Sequence, residues 1–234
     1  MHDVSEAFAT ALHLIASLDA DLLEIVGLSL RVSLTAVLVA ALIGLPLGTA
    51  VAALRFPGRR VATVALNALM GLPPVVVGLI VYLLLSRSGP LGFLGILFTP
   101  QAMILAQALL VMPIIAALSR QTVEDLWAEY SDELTAMRIG PFARVITLLW
   151  DARFSLVTTL LAGFGRAAAE VGTVMIVGGN IDGFTRTMTT AIALETSKGD
   201  LPLALGLGLV LITLIIFVNA AAWGVRRVGE IRAG

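Results

Sequence analysis

Residues 201–225 read LPLALGLGLVLITLIIFVNAAAWGV, a run without one acidic or basic side chain. At a helical rise of 1.5 Å per residue it is about 37 Å long, more than the ~30 Å hydrocarbon core of a bilayer, which about 20 residues suffice to cross. Lipid offers no partner for backbone N–H and C=O groups, so a helix, whose hydrogen bonds are internal, is the expected form. The run lacks the alternation of a barrel strand and is far too long for one.

Working outward, four further runs carry the same signature. They are Leu22 to Leu54, Val61 to Leu85, Gln101 to Leu118 and Phe154 to Val177. The first exceeds the thickness of a membrane and contains Gly44, Pro46 and Gly48, so it must tilt, kink or protrude. The second is broken by Pro73-Pro74 and the third holds Pro113. Ser86 to Thr99 is a Gly/Pro-rich connector, and Gly178 to Asp200 reads as a polar re-entry segment. The expected fold is therefore all-α, a polytopic transmembrane bundle of about five spans in a transmembrane domain over 22–228. The remainder is a segment 1–21, read as an amphipathic helix on the membrane (Ala7, Phe8, Ala11, Leu12, Leu14, Ile15, Leu18), and a tail 229–234.

Composition agrees. Of 234 residues 59% are hydrophobic and 13% charged, with a mean hydropathy of +1.00, which excludes an ordinary water-soluble globule. A net charge of −1 gives no sign of a nucleic-acid partner. There is no cysteine, hence no disulfide or thiolate ligand, and His2 and His13 stand in a stretch too poor in donors for a metal site, so no cofactor is expected. Asp3 and Glu6 occupy the place of the basic start of a cleavable signal peptide.

Basic residues set the orientation. Arg55, Arg59 and Arg60 follow the first span; Arg120, Arg138, Arg144 and Arg153 occupy a charged segment over 120–153; Arg226, Arg227 and Arg232 close the chain. With five spans these regions share one side, the cytoplasm by the positive-inside rule, and the N-terminus lies outside. The opposite side holds only Arg87, Arg186 and Lys198.

The charged segment is too polar for lipid and too helix-prone for a floppy loop. Within it, Asp132 to Ile139 predicts a short helix capped by Ser131 or Asp132 and stopped at Gly140-Pro141. Thr135 and Ala136 are small enough to let a partner pack closely.

This stretch resembles the EAA loop of ABC importer permeases, the coupling helix that sits in a cleft of the ATP-binding subunit. In that pattern a Glu and two Ala precede a Gly by six, five and four positions. Here Leu134, Thr135 and Ala136 stand there before Gly140, with Glu133 displaced by one. The family's later Leu-Pro is absent, and Leu149-Trp150-Asp151-Ala152-Arg153 occupies its region. Leu45-Pro46-Leu47-Gly48, Leu72-Pro73-Pro74-Val75-Val76-Val77-Gly78-Leu79 and Ser88-Gly89-Pro90-Leu91-Gly92 are similar to the molybdate/tungstate/sulfate permeases, which are type I (MetI-like) importer permeases. So are Gly163 to Gly172 and Gly178-Gly179-Asn180-Ile181, and the Thr185 to Glu195 stretch is most like the tungstate type.

The resemblance implies a homodimeric permease in the bacterial inner membrane that docks two cytoplasmic ATPases and receives an oxyanion from an extracytoplasmic binding protein. It makes Asp132, Glu133, Leu134, Thr135, Ala136, Met137, Arg138, Ile139 and Gly140 the ATPase-coupling residues. The chain has no Gly-x-x-x-x-Gly-Lys-Ser/Thr loop, so it is expected to hydrolyse no ATP itself. Molybdate or sulfate is the alternative cargo.

Candidate gate or pathway residues are Pro73, Pro74, Gly78, Arg166, Glu170 and Asn180. The prolines and Gly78 open a kink and allow close backbone approach. Arg166 and Glu170 lie four apart, as an ion pair on one helical face would. Asn180 and the hydroxyls from Thr185 to Thr190 stand at the outer mouth, where they could face an anion, cap a helix or touch the binding protein. Gln107, Asn67 and Asn219 are expected to bond between helices. A membrane-embedded enzyme would need a convergent set of reactive side chains within the spans, and a secondary carrier would more often show an internal repeat; neither is visible.

Overall fold

The computed structural model describes residues 2–17 and 19–233, except the side chains of residues 2–7, Leu14, Ala222 and 225–233. Leu18, and the side chains of His2, Asp3, Glu6, Ala7, Leu14, Arg226, Arg227 and Arg232, thus lie outside the described residues. Every regular element among those described is helical: α1 (His2–Ala16), α2 (Ala20–Ala53), α3 (Arg59–Met70), α4 (Pro74–Leu85), α5 (Pro100–Ala136), α6 (Pro141–Asp151), α7 (Arg153–Ala168), α8 (Gly172–Gly178), α9 (Met188–Lys198) and α10 (Leu201–Ala233), with a 3-10 turn at Gly92–Leu94.

α2, α5 and Leu201–Ala221 of α10 are each long and apolar enough to cross a membrane. Two bent pairs raise the number to five if each counts as one span: α3 with α4, turned by 99°, and α6 with α7, turned by 79°. The expected fourth span, Phe154 to Val177, is corrected. α7 ends at Ala168 and α8 is a separate helix, while the pair that qualifies as a span joins α7 to the preceding α6.

The charged segment is corrected too. Ser131 and Asp132 cap nothing, because α5 runs 37 residues without interruption to Ala136. No Gly or Pro stands between Arg120 and Ala136 to stop it, and at about 55 Å it outreaches the hydrocarbon core. The stop at Gly140-Pro141 is where expected, and α6 starts with Pro141 in its first turn. The polar re-entry segment contains a helix not foreseen, α9, which opens on a capping box between Thr187 and Thr190.

The chain forms two compact units. The first comprises Met1–Thr35, Pro73–Gln107 and Ala167–Val218. Its core joins α1, α2, α9 and α10 through Leu22, Ile25, Met188, Ala191 and Leu207, with Ile15 and Leu203 against them. Ser29 ties α2 to α9: its Oγ accepts the Met188 N–H at 2.7 Å and donates to Ile25 O at 2.7 Å.

The second unit comprises Ala36–Leu72, Ala108–Arg166 and Asn219–Gly234. Gly48 sets the approach of α2 to α5, since a Cβ there would fall 2.1 Å from Ala116 O. Beside it Ser119 Oγ donates to Leu45 O at 3.2 Å. Val123 and Leu134 of α5, Leu148 of α6 and Leu156 of α7 form a buried cluster with Ala52 and Ala53.

Candidate functional site

Of the candidate pathway residues, Pro73, Pro74, Gly78, Glu170 and Asn180 belong to the first unit, in which α4 and α8 pack together, and Arg166 belongs to the second. Pro73 is the N-cap of α4 and Pro74 its first residue, a position where the missing N–H leaves no helical bond unmade. One turn on, Gly78 is buried, and a Cβ added there would come within 2.9 Å of Thr173 Cα. The Thr173 hydroxyl donates to Pro74 O at 2.7 Å.

Glu170 stands in the gap between α7 and α8 and is 3% exposed. Val171, at the N-cap of α8, has no side-chain oxygen to offer the helix. Glu170 does that work from one residue earlier, accepting the Thr173 N–H on Oε1 at 3.0 Å. Its carbonyl accepts from Thr189 Oγ1 at 2.7 Å. Gln107 bonds between helices as expected, donating to Ala167 O at 3.1 Å, while its own Oε1 is buried without a partner. An open stretch of backbone at this depth is thus satisfied by side chains from α5 and α9.

Arg166 and Glu170 do not share a face of one continuous helix. α7 ends between them, and they belong to different units.

Asn180 holds a left-handed conformation, φ 51°, beside Gly179 at φ 73°, closing α8 with a tight turn. Thr185 Oγ1 donates to Gly178 O at 2.6 Å and accepts from the Ile181 N–H at 2.9 Å. Thr187, Thr189 and Thr190 are buried and bond among themselves and to Glu170. These hydroxyls make internal bonds, including the capping box that opens α9.

The coupling residues sit in the second unit. Leu134 is buried and Ile139 half-buried in the cluster around Leu148. Asp132, Glu133, Thr135, Ala136, Met137, Arg138 and Gly140 are exposed. The reversal between α5 and α6 is made by Arg138 at φ 50°, whose N–H donates to Thr135 O at 3.0 Å. Arg144 closes it from α6, donating to Ile139 O at 3.4 Å and lying 4.8 Å over the Trp127 ring. Nothing lies within 4 Å of a Cβ built on Gly140, so that position is open to a partner.

Sequence reasoning missed Arg59, whose basic charge it counted only for orientation. It donates to Val51 O and Ala52 O at 2.7 and 2.8 Å, satisfying the last carbonyls of α2, and pairs with Glu124 of α5 at 3.3 Å. The turn after α2 and the charged half of α5 therefore meet at one end of the second unit.

No protein-family model matches the chain. It is 45% identical over 206 residues to a probable anion ABC transporter permease protein of Haloferax volcanii, covering 85% of this chain and 88% of the relative. Over 226 residues it is 39% identical to a tungstate uptake system permease protein of Peptoclostridium acidaminophilum, covering 97% of this chain and 99% of that one. A tungstate uptake system permease protein of Campylobacter jejuni is 40% identical over 164 residues, 70% and 69% of the two chains. With its apolar helices this is a multi-pass membrane protein, and the chain belongs to the family of oxyanion ABC transporter permeases.

Proposed function

We propose that the chain is the translocating subunit of an ATP-driven importer for tungstate. It works as a pair, receives the anion from an extracytoplasmic binding protein and is driven by separate cytoplasmic ATPase subunits. The observation that carries this is the end-to-end match to a tungstate uptake permease, 39% identical over 97% of the chain. ATP-powered movement of the Asp132 to Gly140 stretch switches the bundle between inward-facing and outward-facing states, which differ in their affinity for the bound partners.

Three features support the coupling assignment. Leu134 and Ile139 anchor the stretch from within, Thr135 and Ala136 present small side chains, and Gly140 adjoins open space. In this reading 120–153 is the cytoplasmic part of a permease domain over 22–228, the C-terminus is cytoplasmic and the N-terminus is outside. The Arg59–Glu124 pair supports that topology, because five spans put both residues on one side whereas three would separate them.

Uptake of labelled tungstate by vesicles containing permease, ATPase and binding protein, with molybdate and sulfate as competitors, tests the cargo. Inhibition by molybdate or sulfate at lower concentration than by unlabelled tungstate reassigns it. Gly140→Trp and Ala136→Trp should leave the permease inserted and reduce co-purification of the ATPase at least tenfold. Undiminished co-purification would remove the coupling role.

A further inference from the structure

In the second unit an open groove of about 530 Å³ runs between α2 and α7. Leu38, Leu42, Leu45 and Pro46 form one wall, Leu156 and Leu160 the other. Its volume lies in the ~300–1,000 Å³ range of ligand sites. Among the described lining residues one is charged: Arg153, the first residue of α7. Leu38 and Leu42 are 65% and 78% exposed, bare apolar surface on a helix fit to span a membrane.

The arginine is held in place. Its guanidinium lies 4.7 Å from the Trp150 ring centre and 4.6 Å from that of Phe154, and Nη1 donates to Trp150 O at 2.5 Å. Trp150 is itself exposed. α6 turns by 79° from α7 at this point. A cation beside an exposed tryptophan, at the sharp bend between α6 and the apolar α7, has the character of the membrane interface.

We infer that this groove binds an anionic phospholipid, one acyl chain between α2 and α7 and the phosphate on Arg153. A cation at headgroup level favours a lipid whose phosphate is not balanced by its own ammonium. The first unit offers a contrast. Its groove between α1 and α10, also about 530 Å³, is lined among the described residues by Leu12, Leu214, Phe217 and other uncharged side chains. The inference goes beyond the transported ion and holds whatever that ion is.

The test uses the full chain with Trp127→Phe and Trp223→Phe, leaving Trp150 as its fluorophore, in vesicles containing brominated phosphatidylglycerol or brominated phosphatidylcholine. Quenching should report about fivefold preference for phosphatidylglycerol, the share of one arginine near a membrane surface. Arg153→Ala should reduce that ratio to about one, and Arg153→Lys should retain most of it. Equal quenching by both lipids in the parent chain, or a preference that survives Arg153→Ala, overturns the site. So does absence of quenching together with Leu42→Cys cross-linking between two copies, which would make the groove a contact between permeases.

Discussion

Between Met70 and Pro74 the chain turns through 99°, and between Ala168 and Gly172 it breaks again, yet the two interruptions are made differently. The first is local. Gly71 and Leu72 bond back to Ala68 and Leu69, and Pro73 and Pro74 have no N–H to satisfy. The second retains its donors and acceptors and finds two partners far along the chain, Gln107 for Ala167 O and Thr189 for Glu170 O, which hold the break so that the Glu170 carboxylate can cap the Thr173 N–H. A break made by proline persists wherever the segment is placed. One made by distant side chains exists only in the folded unit, which makes it the more vulnerable of the two.

The largest test of that difference is Glu170→Ala. It removes a buried charge-assisted hydrogen bond and should cost about 2–3 kcal/mol, read by thermal unfolding in detergent micelles. Glu170→Gln keeps an acceptor for the Thr173 N–H and should recover about half. A Glu170→Ala protein as stable as its parent would mean that α8 starts without help from this carboxylate.

The same contrast explains what the sequence made legible. The ends of α2 fall within two residues of expectation, because an apolar run bounded by Asp19 and by Arg55-Phe56-Pro57-Gly58 has few other readings. Pro73-Pro74 announced the first break. The second, in Ala167-Ala168-Ala169-Glu170-Val171, contains good helix formers and no proline, so its bonds to residues 107 and 189 leave no local trace. The coupling stretch shows the reverse error. Ser131 and Asp132 are favoured N-cap residues, but Trp127, Tyr130 and Leu134 pack continuously along α5, and packing overrode the signal. α9 was hidden because its capping box uses Thr190 where a Glu or Gln is usual.

Gly78→Ala probes the surface where the two breaks meet. A Cβ 2.9 Å from Thr173 Cα confronts backbone, so α4 or α8 must move, at a cost of about 2 kcal/mol. Gly140→Ala is the control, since its Cβ enters open space and its φ of −65° suits any residue. A Gly78→Ala protein that unfolds at the temperature of Gly140→Ala would show that α4 and α8 are loosely packed.

Thr173→Val makes the smallest change, keeping shape while deleting the hydroxyl that reaches Pro74 O. The loss should be about 1 kcal/mol, a neutral hydrogen bond exchanged for an isosteric methyl. Its value lies in combination with Gly78→Ala. If Gly78 matters because it lets Thr173 approach Pro74, displacing α8 already breaks that bond, and adding Thr173→Val should cost less than it does alone. Strict additivity would separate the close approach of α4 from the hydrogen bond, leaving the proline-made break to hold its angle without the other.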